Sequence, residues 1–208
     1  MAYLSLDLEM TGGDPGWHEM IQIGACLYDH NWNEKGRYLQ NIYPENEDAF
    51  SSYAFDVHGL SLQELNDAPM LHEVLPEFEQ WIIETLAGHK NVPEWDKAKY
   101  LKRSVICGQS IINDVNFLQF AYRQENKDWP FSYKLLDLHN LSFYLFKILR
   151  NNGIQTPKSL GLGSVAEFFG LERESDMHNA LEDAVITGQC LKKVMAYTQQ
   201  LTLDEEED

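Results

Sequence analysis

Residues 2–10 read AYLSLDLEM, with Leu4, Leu6 and Leu8 alternating with Ser5, Asp7 and Glu9. Side chains two residues apart share one face of a strand, so this pattern predicts a β-strand with leucines on one face and acids on the other. MIQIGACLY, residues 20–28, is apolar almost throughout and predicts a second strand. Arg37 to Tyr43, with Gly36 in the preceding turn, predicts a third, and three strands in series suggest an antiparallel meander. FDVHGL (55–60) reads as a loop leading to Ser61, an N-cap. Leu71, Val74, Leu75, Phe78, Trp81 and Ile82 recur at helical spacing and predict a helix over 70–86. Residues 88–99 read as a loop. SVICG (104–108) reads as a buried strand and 113–124 as a helix. A short strand over 134–138 then feeds a helix to about Arg150, closed by Asn151-Asn152-Gly153. A short helix over 164–169 stops at Gly170, and a long one runs from Ala180 to Gln199. Strands come first and βα units follow. That order predicts an α/β fold, a mixed sheet with helices packed on it, in a single domain over residues 1–200.

Composition narrows the class. The chain has 208 residues, 44% of them hydrophobic, enough for one sizeable core. No apolar run approaches the ~20 residues of a membrane span, and the N-terminus lacks the pattern of a signal peptide. Cys26, Cys107 and Cys190 are isolated in apolar surroundings, which predicts reduced core thiols and a cytoplasmic protein. The net charge is −17. Wide contact with a nucleic-acid backbone needs clustered Lys and Arg, so the balance argues against it, though not against nucleic acid held through cations. Residues 204–208 are all acidic, and 201–208 is expected to be a disordered, solvated tail.

Several acids stand where a surface charge is not expected. Asp7 and Glu9 share one face of the first strand, where their repulsion must be offset either by water or by a hard divalent cation. The loop after them, Thr11-Gly12-Gly13-Asp14-Pro15-Gly16, is rich in turn formers. Phe117, Leu118 and Ala121 follow Asp114 at +3, +4 and +7, which sets this acid on the apolar face of its helix. The bland alternative is an acid complementing the helix dipole. In HNALEDA (178–184), Asp183 lies beside the stripe Ala180, Ala184, Thr187, Leu191 and Val194, and His178 precedes the helix. Asp7, Glu9, Asp114 and Asp183 together in one cleft would not stay ionised without cations. Two divalent ions would neutralise them, the arrangement used for phosphodiester cleavage, and a neutral His178 nearby could take a proton from the attacking water.

DLEMTG (7–12), GQSIINDVNFL (108–118) and HNALEDA (178–184), in that order, resemble the DEDDh branch of the DEDD 3′→5′ exonucleases. FDVHGLS (55–61) is a fourth, looser similarity. The resemblance spans residues 4 to about 195. It implies a ribonuclease H-like fold with a five-stranded mixed sheet, two Mg²⁺ or Mn²⁺ ions, and release of nucleoside 5′-monophosphates from a 3′ end. It implies that Asp7, Glu9, Asp114 and Asp183 hold the metals and that His178 is the general base. Met10, Thr11 and Gly12 would contact the terminal nucleotide, helped by Phe117. The first and second motifs are similar to those of oligoribonuclease, whereas HGLS and Ala184 are closer to the DNA proofreading type. Gln109-Ser110 stands where the branch often has His-Asn.

The expectation is a metal-dependent exonuclease on short or single-stranded nucleic acid, with RNA slightly favoured over DNA trimming. Two other classes compete: an inactive nucleic-acid or metal-binding module on the same fold, and a phosphatase or other metal-assisted hydrolase of small nucleotides. No membrane partner is expected. The resemblance allows a homodimer, for which the sequence carries no signal of its own.

Overall fold

The computed structural model describes residues 1–88, 91–172 and 179–200, so His178 and the tail from residue 201 lie outside the described residues. Five strands, β1 (Ala2–Met10), β2 (Met20–Tyr28), β3 (Glu34–Asn41), β4 (Ser104–Gly108) and β5 (Leu135–Asp137), form one mixed sheet in the order β3-β2-β1-β4-β5. β1, β2 and β3 pair antiparallel, and β4 and β5 add in parallel beside β1. The helices are α1 (Ser52–His58), α2 (Leu62–Leu65), α3 (Leu71–Ala87), α4 (Glu94–Arg103), α5 (Ile112–Gln124), α6 (Leu138–Asn151), α7 (Leu162–Phe168) and α8 (Ala180–Tyr197). This is the ribonuclease H-like arrangement that the motif order implies.

The alternation in β1 divides the molecule into two cores. Leu4, Leu6 and Leu8 pack with Phe78 and Ile82 of α3 and Leu118 and Tyr122 of α5 on one side of the sheet. On the other side Tyr3 packs with Cys26, Cys107, Phe146 of α6 and Val185 and Leu191 of α8. Asp7 and Glu9 share this second face. β2, between β1 and β3, is buried along its whole length, which is why its sequence is a continuous apolar run. The three cysteines are free and buried. No helix among the described residues is long and apolar enough to cross a membrane.

Three elements differ from the sequence-based expectation. The third strand begins at Glu34, three residues before the expected Arg37. The Asp29 carboxylate accepts from the Asn31 and Asn33 N–H groups at 2.9 Å and closes the hairpin early, with Trp32 left-handed at φ 60°. Gly36 then pairs with Leu27 inside the strand, where an added Cβ would lie 3.1 Å from Thr85 of α3. FDVH is helical, in α1, started by the Ser51 hydroxyl and ended by Gly59 at φ 68°. Ser61 does cap a helix, α2, through a reciprocal capping box with Glu64. Residues 94–103, expected mostly as loop, form α4. It is a polar helix with only Leu101 buried and with ion pairs Glu94–Lys97 and Asp96–Lys99, so its narrow apolar stripe is outnumbered by charged residues.

Candidate active site

The acids gather at the end of β1 because three elements meet there. The parallel pairing of β1 with β4 stops at Ser5 and Cys107. β4 then ends at Gly108, and the chain turns into α5. Beyond that point the Leu8 N–H, midway between Asp7 and Glu9, donates to the Asp114 Oδ1 at 3.0 Å. Asp114 thus occupies the place a further residue of β4 would have filled. The acid is 7% exposed. Burial pushes its carboxyl up to about 7, and the charge of Asp137 adds to the rise. Its own N–H and that of Leu8 pull the other way. No basic side chain among the described residues pairs with it.

α8 approaches from the opposite face of the sheet. Asp7 pairs with Gly24 across β1 and β2, and Glu9 pairs with Gln22. Gly24 has no side chain, and the backbone of Ala180 lies in the space a Cβ would take, 2.1 Å from that position. Gln22 accepts from the Ala180 N–H through its Oε1 at 3.0 Å and donates to Asn41 at 2.7 Å. The Asn179 side chain caps the helix through the Leu181 and Glu182 N–H groups. These contacts seat the first turn of α8, which carries Asp183 at 4% exposure, against the strand pair that carries Asp7 and Glu9. Gln22 and Gly24 are the positioning residues the sequence reading passed over. Gln22 left one usable trace, a lone amide inside an apolar strand.

The residues expected at the nucleotide divide in two. Thr11 is wholly buried and closes the β1–β2 loop. Its N–H donates to the Glu19 carbonyl, its hydroxyl accepts from the Glu19 N–H, and its carbonyl accepts from the Ser51 N–H. Phe117 is buried in the core on the α5 side. Met10 and Gly12 are half-buried and reach the surface. The ring of His18 covers Gly12 so closely that an added Cβ would lie 2.2 Å from it. His58, from the looser motif, is buried beneath the end of β1. Its Nδ1 accepts from the Leu60 N–H, its Nε2 turns toward the Met10 backbone without closing a hydrogen bond, and burial holds its pKa low.

Asp7, Glu9, Asp114 and Asp183 offer hard oxygen donors, the chemistry that suits Mg²⁺ or Mn²⁺. Among the described residues no group of three or more His, Cys, Asp or Glu side chains already forms a metal-ligand cluster. Carboxylates brought close repel one another unless a proton or a cation offsets the charge. The fit rests on Asp114, a carboxyl whose charged form is disfavoured by burial and then by the charge of Asp137, a cost that a cation would offset.

The mixed sheet and its packed helices thus bring acids from β1, α5 and α8 toward one end of the sheet. Residues 4–93 match the exonuclease family model RNase_T. The chain is 28% identical over 142 residues to the 3′-5′ DNA exonuclease Cap18 of Escherichia coli, covering 68% of this chain and 67% of that protein. It is 27% identical over 203 residues to the 3′-5′ exonuclease DinG of Staphylococcus haemolyticus, covering 98% of this chain but 19% of that longer protein. Among solved structures, the nuclease domain of 3′hExo, a DEDDh family member bound to rAMP, superposes with a TM-score of 0.71 at 17% identity, covering 98% of this chain and 96% of that one. The chain is thus similar to 3′→5′ exonucleases, a likeness that supports nuclease function.

Proposed function

We propose that this protein is a two-metal 3′→5′ exonuclease that removes nucleoside 5′-monophosphates from short single strands. The observation that carries the reading is the buried Asp114 carboxyl, bonded to the backbone between Asp7 and Glu9 and with no cationic partner among the described residues. Asp7, Glu9, Asp114 and Asp183 would hold the ions, which when bound supply an activated water and stabilise the leaving oxygen. The backbone N–H of Leu8 orients the Asp114 carboxylate, and the Asn179 cap with the Gln22 contact orients Asp183. Met10 and Gly12 offer surface to the terminal nucleotide, with Thr11 fixing the loop and Phe117 supporting α5 from within. His178, one residue before the Asn179 cap, takes the proton from water.

Length preference follows from charge. At a net −17 the surface repels a long polyanion, so binding should involve few phosphates and depend weakly on salt. Two readings of the sugar each have support. The oligoribonuclease-like motifs favour ribose, and the similarity to a DNA exonuclease of Escherichia coli favours deoxyribose. One assay tests both. 5′-Labelled RNA and DNA of two, five and twenty nucleotides are incubated with Mn²⁺ or Mg²⁺, with Asp7→Ala as control. Fastest loss of the RNA dinucleotide marks a finisher of short RNA, and stepwise shortening of DNA marks a trimming enzyme. No cleavage by the wild type overturns the reading.

The raised pKa of Asp114 predicts a second result. Below about pH 4 the acid is protonated in both folded and unfolded chains and costs nothing. As pH rises toward about 7 the unfolded chain ionises first, so the metal-free fold loses this contribution to stability. A bound cation reverses the loss. The rise in Tm on adding Mg²⁺ is therefore expected to be larger at pH 8 than at pH 5, measured by scanning calorimetry against a chelated sample.

A further inference from the structure

We propose that Asp137, outside the set of four acids, is the positioning residue for Asp114: its carboxylate ties the start of α5 to the end of β5 and so fixes where the Asp114 carboxyl meets β1. The inference rests on Asp114 serving as a metal ligand.

Asp137 is the last residue of β5, paired with Gly108 of β4, and it caps α6. Its two oxygens serve two helices. Oδ1 accepts from the Asn140 N–H of α6 at 3.1 Å, and Oδ2 accepts from the Ile111 N–H at 3.0 Å. Ile111 is the N-cap of α5, three residues before Asp114. A residue serving only as the cap of α6 would need only the first of these bonds.

The connection that Asp137 holds is a difficult one. Between Gly108 and Ile111 the chain turns through Ser110 at φ 53°, a left-handed conformation that a non-glycine residue adopts only where its surroundings impose it. Gln109 is tied separately, its Nε2 donating to the Leu160 carbonyl at 2.7 Å. The first turn of α5 is then fixed at two points, Ile111 to Asp137 and Asp114 to Leu8. Loosening the first leaves the Asp114–Leu8 bond and the packing of Phe117 and Leu118 to hold that end of α5 against β1. A carboxylate alone suits the position, because an amide has one acceptor oxygen and would face the second N–H with a donor.

The test uses the full chain with Asp137→Asn and Asp137→Ala. Mn²⁺ affinity is measured by calorimetry without nucleic acid, followed by kcat and KM on a short single strand, well below each variant's Tm. Supporting residues behind metal ligands typically change metal affinity or activity by about 10–100-fold. Asp137→Ala is expected to weaken Mn²⁺ binding and lower kcat within that range, and Asp137→Asn about tenfold, while KM for the oligonucleotide moves less than about threefold. A lower Tm with wild-type Mn²⁺ affinity and kcat would overturn the proposal and reduce Asp137 to a helix cap. Should Asp137→Ala fail to fold, Asp137→Asn, which keeps one acceptor, decides the matter alone. Wild-type protein that binds no Mn²⁺ would overturn the metal reading of the site, and the inference with it. Wild-type protein that binds Mn²⁺ but cleaves nothing would overturn only the nuclease reading, with calorimetry still reporting on Asp137.

Discussion

Asp114→Asn is expected to lower turnover by about 10³-fold or more while making the metal-free protein harder to melt at pH 8. The two effects have one cause. The amide keeps the shape of the side chain, and its oxygen can still accept from the Leu8 N–H. What disappears is a charge that the interior disfavours and that the bound ions would need. A 10³-fold loss corresponds to roughly 4 kcal/mol of transition-state stabilisation. The stability gain should shrink toward pH 4, where the native acid is already protonated in both states. Parallel steady-state kinetics and thermal melts at pH 5 and pH 8 check both halves. A variant that loses activity and also melts lower at pH 8 would show that the carboxylate serves the fold, contrary to the metal reading.

Gly24→Ala is expected to have the largest effect on the fold. The added methyl would meet the Ala180 backbone carbon and the Leu181 nitrogen at 2.1 and 2.2 Å, and neither can rotate away. Overpacking of this kind costs about 3 kcal/mol or more, which for a chain of this size is a fall in Tm of about 10 °C. Because the displaced turn carries Asp183, activity should fall in the surviving folded protein as well. Gly188→Ala provides the contrast. Its methyl would meet the Tyr28 ring at 2.3 Å, further along α8 from the acids. Below its own lowered Tm that variant should retain turnover. Equal loss of activity in both would mean that α8 responds as one rigid body and that its first turn has no special bearing on the site.

Much of this site was legible in the chain. The alternation of Leu4, Leu6 and Leu8 with Asp7 and Glu9 gave both the strand and the common face of its acids, because a strand's period is local. The apolar residues following Asp114 and flanking Asp183 placed both acids inward for the same reason, and both are buried. Contacts made across the sheet were hidden. The Leu8–Asp114 bond joins residues 106 apart in sequence, and the Gln22–Ala180 bond residues 158 apart. Neither follows from a local pattern. Gly24 looked like a small residue in a strand until α8 was seen lying on it. Thr11 and Phe117 illustrate the opposite limit, since motif similarity names residues without saying whether their side chains face inward. The start of β3 and most of α4 escaped the reading because one lies in a polar edge strand and the other buries a single leucine. Burial, which periodicity reports, is largely absent from both.

The hydrogen bond from Leu8 to Asp114 also makes the site observable without substrate. Leu8 lies in a strand where pairing with β4 has already ended, so its amide has this carboxylate as its shield on that side. Whenever the first turn of α5 lifts away, that proton becomes free to exchange with solvent. Its exchange rate therefore counts how often the site comes apart, as a local opening that need not unfold the sheet. Residues Leu4 and Leu6, deeper in the same strand, provide an internal clock for global unfolding. The ratio of the two rates, each taken relative to its unprotected rate, gives how far the free energy of parting the acids lies below that of unfolding the sheet.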